Sequence, residues 1–154
     1  MIGRRHCMLG AAALAGWPLA ARAASTLEVW RDPNCSCCSG WVRHLRAAGF
    51  IVRDIVAPEL APIRQMLGIP ADLLSCHAGR IDGYALEGHV PAAAIRRLLT
   101  ERPIGVRGLA VPEMPIGSPG MEVPGQPDDI YEVIAFGSGQ QRMTFMRFQG
   151  ARTL

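Results

Sequence analysis

Three cysteines, Cys35, Cys37 and Cys38, fall within four residues of one another, and a fourth, Cys76, stands beside His77. A thiolate is both a nucleophile and a soft metal ligand, so these residues admit dithiol exchange or metal binding. Cys35 and Cys38 have the C-x-x-C spacing of redox pairs, whereas adjacent Cys37 and Cys38 cannot join without distorting the peptide between them. A dithiol exchanger needs only two thiols. Four soft thiolates suit Cu(I) better than a hard ion. Structural zinc would accept four thiolates too, but draws them from pairs spaced to form a tetrahedron. C-x-C-C crowds one side of a single ion and is better placed to bridge several. Soft metal is the favoured reading; metal-free redox work, structural zinc and two structural disulfides stay open.

Other donors lie nearby in sequence. Met114 and Met121 flank a turn-rich stretch and offer thioethers, soft donors of the same class. His77 follows a proposed ligand and either coordinates the metal or hydrogen-bonds the site. His89, just before Pro91, reads as a helix cap, and His44, opposite the apolar stripe of its helix, as a surface residue. The chain has no lysine, which excludes lysine chemistry.

The elements that must position these residues follow from periodicity. Residues 26–30 alternate as a first strand, which Asp32-Pro33-Asn34 breaks. From Ser39, the residues Trp41, Val42, Leu45 and Ala48 recur at helical spacing, and Gly49 stops the helix. Residues 50–55 read as a second strand, and a second helix opens at Pro58 and closes at Gly68. Residues 71–74 are apolar without a clear period. Asp82-Gly83 marks a hairpin, and a third helix begins at Pro91. Six prolines and five glycines between 103 and 127 predict a loop laid on the protein, with no central strand. Two strands, 130–136 and 142–148, complete the chain. The expected fold class is α/β, a thioredoxin-like fold in the order β-α-β-α-β-β-α, with the Pro/Gly-rich loop and an added C-terminal β-hairpin. Such an order brings the end of the first strand to the loop before the third, and so Cys35, Cys37 and Cys38 to Cys76.

The N-terminus predicts an address rather than structure. Arg4 and Arg5, an apolar run over residues 8–21 and Ala21-Arg22-Ala23 are the three parts of a secretory signal. Residues 1–23 are therefore expected to be cleaved, leaving 24–154 as a single domain. Cleavage takes three arginines and no acid, so the formal charge of +3 falls to zero. Nothing in the mature part suggests a nucleic-acid surface.

The residues collected here resemble a known family, the periplasmic C-x-C-C metal-binding proteins that include copper-resistance proteins of the CopG type. The resemblance runs through residues 32–41, 74–77, 82–84, 87–91, 108–112 and 114–122. It implies an exported copper-handling protein with a thioredoxin-like fold and Cys35, Cys37, Cys38 and Cys76 as ligands. Some members are linked to interconversion of Cu(I) and Cu(II). The expectation is a periplasmic protein holding a polynuclear Cu(I) cluster, with His77, Met114 and Met121 as entry or outer groups. Its partners would be copper ions and other periplasmic copper-handling proteins, with no nucleic acid and no membrane after cleavage. Whether it is an enzyme, a copper oxidoreductase, stays open. The alternative is a periplasmic thiol-disulfide oxidoreductase using Cys35 and Cys38.

Overall fold

The structure, a computed structural model, describes residues 25–154, so the expected signal segment lies outside the described residues. The strands are β1 (Thr26–Arg31), β2 (Ile51–Val56), β3 (His77–Ile81), β4 (Tyr84–Glu87), β5 (Val106–Ala110), β6 (Ile130–Gly137), β7 (Arg142–Gln149) and β8 (Arg152–Thr153). The helices are α1 (Ser36–Ala47), α2 (Ala61–Leu67) and α3 (Ala92–Glu101), with one 3-10 turn at Ala71–Leu73. All eight strands form one mixed sheet in the order β2-β1-β3-β4-β5-β6-β7-β8. β1 runs parallel to β2 and antiparallel to β3, and β3 forms the expected hairpin with β4. Among the described residues, no helix is long and apolar enough to cross a membrane.

Side chains alternate across a strand, and the sheet accordingly separates two cores. Leu27, Val29, Leu86 and Leu109 face the larger one, with Trp41 and Leu45 of α1 and Ile95 and Leu98 of α3. Ala78, Ala85, Ala110 and Phe136 face the smaller one, with Ile69 and Leu73 and the half-buried Ile63 and Leu67 of α2. Each large apolar side chain so buried contributes about 1.5–3 kcal/mol.

The Pro/Gly-rich stretch departs from expectation. It contains a central strand, β5, parallel to β4 and antiparallel to β6. Residues 106–110 hold no proline, and Gly108 serves packing rather than a turn. A Cβ there would collide with the Ala85 carbonyl and the Phe136 ring, so the missing side chain lets the sheet close. β5 also joins the C-terminal hairpin of β6 and β7 to the same sheet.

Candidate metal centre

The site begins where β1 ends. The Asp32 carboxylate accepts the Asn34 N–H at 2.7 Å, and the Asp32 carbonyl accepts the Cys35 N–H at 3.3 Å. This Asx turn delivers Cys35 to the N-cap of α1, where its side chain makes no capping bond. α1 starts at Ser36, three residues before the Ser39 start expected from the apolar period, so Cys37 and Cys38 lie in its first turn. Opposite, Arg31 of β1 is in register with His77 of β3, which brings Cys76, one residue earlier, to the same end of the sheet.

All four Sγ atoms lie within 4.8 Å of one another. Cys37 Sγ is 3.3 Å from Cys35 Sγ and 3.9 Å from Cys76 Sγ, and Cys38 Sγ is 3.7 Å from the Cys76 carbonyl. Cys35 and Cys38 are joined as a disulfide, while Cys37 and Cys76 are free thiols. Burial, and then repulsion from Cys37, push the Cys76 thiol up to about 12. A metal arriving at Cys76 at neutral pH therefore has to displace a proton.

Two histidines depart from the roles expected of them. His89 does not cap α3. It is fully buried, its Nδ1–H donates to the Pro119 carbonyl at 2.8 Å, and its Nε2 lies 3.0 Å from Cys76 Sγ. The cap comes from His44, which is half-buried rather than on the surface: the Ala92 N–H donates to its Nε2 at 3.1 Å. The sequence carried no signal for His89, because Gly88-His89-Val90-Pro91 reads as a helix entry whichever way the ring turns. His77, expected at the site, is there, with Nδ1 3.3 Å from Cys76 Sγ and its ring 4.3 Å from that of Trp41. Its Nε2 is buried with no hydrogen-bond partner, a condition that costs about 1–3 kcal/mol. Burial, and then His89, hold His77 well below the ordinary histidine value, against a pull from the Gly88 backbone. Burial also lowers His89.

Behind Cys76, Arg64 Nη2 donates to the Ser75 carbonyl at 2.6 Å, and Glu87 Oε1 accepts the Ser75 N–H at 2.7 Å. Arg64 and the fully buried Glu87 pair at 2.6 Å. This closed set fixes the backbone just before Cys76. The methionines lie in the loop after β5. Met114 is half exposed along an open groove of about 470 Å³ whose walls, among the described residues, include no cysteine. Met121 is half-buried and follows Gly120, where the loop rests on α1.

The fold and site define a class: a mixed α/β protein whose sheet gathers four cysteine sulfurs into a cluster that can hold a metal ion. Residues 73–121 match the family described as "Protein of unknown function, DUF411". No curated protein sequence matches. Among solved structures, "Copper resistance protein copG- Form 1" is 43% identical over 81% of this chain and 98% of its own, with a TM-score of 0.74. "Copper resistance protein copG- Form 2" is 41% identical over 80% of this chain and 98% of its own, again with a TM-score of 0.74. The chain belongs to the family of the copper resistance protein CopG.

Proposed function

We propose that this protein binds copper as Cu(I), through Cys35, Cys37, Cys38 and Cys76, in a polynuclear cluster. The observation that carries this reading is the meeting of all four sulfurs within 4.8 Å, from two separate parts of the chain. Thiolates select Cu(I), and the likeness to a copper resistance protein supports copper as the cargo. The protein is exported by its N-terminal segment, residues 1–23, and residues 24–154 act in the periplasm as one thioredoxin-like domain. Support for that frame is the strand order β2-β1-β3-β4, with β1 and β2 parallel and both β1–β3 and β3–β4 antiparallel. His77, Met114 and Met121 act as entry or outer groups.

The protein interconverts Cu(I) and Cu(II). Oxidation of Cys35 and Cys38 to the disulfide seen here releases two electrons and two protons, enough to reduce two Cu(II) ions to Cu(I), and an external dithiol that reduces the disulfide again restores the two thiolates that hold Cu(I). Reversal consumes the same electrons and protons, returns two thiols and leaves two Cu(II) ions. The disulfide also favours a second reading, thiol-disulfide exchange on protein substrates by Cys35 and Cys38 alone.

Cu(I) titration of the reduced protein, in competition with Zn(II), separates the two readings. Copper binding is expected to prevail and to weaken sharply in Cys76→Ser. Full copper affinity in Cys76→Ser, together with sustained disulfide reduction by a variant that keeps only Cys35 and Cys38, would favour the exchanger.

A further inference from the structure

Cys76 belongs to two clusters. One joins it to Cys35, Cys37 and Cys38; the other joins it to His77 and His89, whose donor atoms also lie within 4.8 Å of one another. The four-thiolate site makes no use of His89. We propose that Cys76, His77 and His89 form a second seat, for a single ion, which stays available while Cys35 and Cys38 are joined and takes copper as Cu(II). The inference rests on copper being the cargo.

Three observations carry it. First, the disulfide removes two of the four thiolates but touches none of these three side chains. Second, the His89 ring is already set as a ligand. A carbonyl can only accept, so Nδ1 carries the hydrogen bonded to Pro119, and the lone pair of the neutral ring is on Nε2, facing Cys76 Sγ at 3.0 Å. Metal-binding histidines are held in this way, with the second ring nitrogen donating to a backbone carbonyl. Third, His77 is fully buried with its Nδ1 3.3 Å from Cys76 Sγ, so β3 carries a second imidazole nitrogen to the same sulfur.

The spacing also fits. An ion with bonds of about 2.0–2.3 Å at tetrahedral angles separates a nitrogen and a sulfur donor by roughly 3.5 Å. The two imidazole nitrogens stand at 3.0 and 3.3 Å from Cys76 Sγ, so the site need open by only a few tenths of an ångström. Imidazole is a harder donor than thiolate, and among divalent first-row ions Cu(II) binds such donors most tightly. The two clusters thus suit the two oxidation states of one cargo and share Cys76.

The test uses the full chain with Cys7→Ser and Cys37→Ser, with the Cys35–Cys38 disulfide formed, so that Cys76 is the one remaining thiol. Co(II) is the probe, because it reports a thiolate bond by near-ultraviolet charge transfer without oxidising the sulfur. One equivalent is expected to bind and give that band. His89→Gln is expected to weaken binding by at least about tenfold, the lower end of what losing an outer-sphere partner alone costs. No band, or a band unmoved by His89→Gln, would overturn the second seat. If His89→Gln does not fold, X-ray absorption on the Co(II)-loaded protein with both histidines intact decides: imidazole scattering supports the seat and its absence overturns it. Cu(II) should then displace Co(II), and failure to do so overturns the assignment to the oxidised ion. Cu(I) titration of the reduced wild-type chain is run alongside. Cu(I) binding without a Co(II) band fails this inference alone. A Co(II) band weakened by His89→Gln, without Cu(I) binding, supports the seat while failing the four-thiolate reading.

Discussion

Gly120 of the loop lies against Gly40 of α1 so closely that a Cβ on Gly40 would come within 2.7 Å of Gly120 Cα. The contact is reciprocal: a Cβ on Gly120 would come within 2.6 Å of the Cys37 carbonyl oxygen and the Trp41 amide nitrogen. Gly120 also has φ +90°, a conformation that side chains resist. The loop is thereby pressed onto the helix turn that carries the cysteines, and Pro119, one residue earlier, holds His89.

Gly120→Ala should therefore combine backbone strain with a clash against main-chain atoms. Gly139→Ala is the comparison, since its φ is +66° but nothing lies within 4 Å of the added Cβ. Gly139→Ala should cost about 1–2 kcal/mol in urea denaturation. Gly120→Ala should cost more and should also weaken copper binding.

The Arg64–Glu87 pair makes a second prediction. Burial pushes the Glu87 carboxyl up, while Arg64 and the Ser75 N–H pull it back down. Glu87→Ala leaves Arg64 without its partner and the Ser75 N–H without its acceptor. Removing one half of a buried ion pair costs about 3–5 kcal/mol. Denaturant titration of the metal-free protein should show a loss in that range, and a loss under 1 kcal/mol would contradict the role given to this pair.

These contacts mark where the sequence was legible. The C-x-C-C turn, the Asp82-Gly83 hairpin and the apolar stripes of α1 and α3 are local patterns, and they placed the cysteines and the first four strands. β5 was missed because turn residues dominate its surroundings, while its reason, the fit of Gly108 against Ala85 and Phe136, lies across the sheet. His44 and His89 were misassigned for the same reason. Their partners, Ala92 and Cys76, are 48 and 13 residues away, and no short-range spacing tells which way either ring turns. The α1 start was placed late because the apolar period begins at Trp41, whereas the helical backbone begins at the Asx turn.

His44→Ala gives a control that separates helix capping from copper. It removes the acceptor of the Ala92 N–H and should cost roughly 1 kcal/mol, as loss of a helix cap does. Copper stoichiometry should not change.

Stability of the metal-free protein should depend on pH in a definite direction. Burial lowers His77, His89 and His44, opposed at His89 and His44 by Glu122 and reinforced at His77 by Arg64. A histidine lowered on folding takes up its proton more readily when unfolded. Its neutral-form stability is thus complete above the unfolded value, about 6.5, and is lost as pH falls below it. Each such group contributes a slope of up to about 1.4 kcal/mol per pH unit. Melting temperatures should fall between pH 7 and pH 5, and His77→Gln should flatten the fall.

The central claim is a polynuclear Cu(I) cluster on four thiolates, and X-ray absorption on the reduced, copper-loaded protein tests it most directly. The expected spectrum shows mainly sulfur neighbours and a short Cu–Cu vector, with more than one copper per chain. Saturation at one copper per chain, with no Cu–Cu vector, would contradict it.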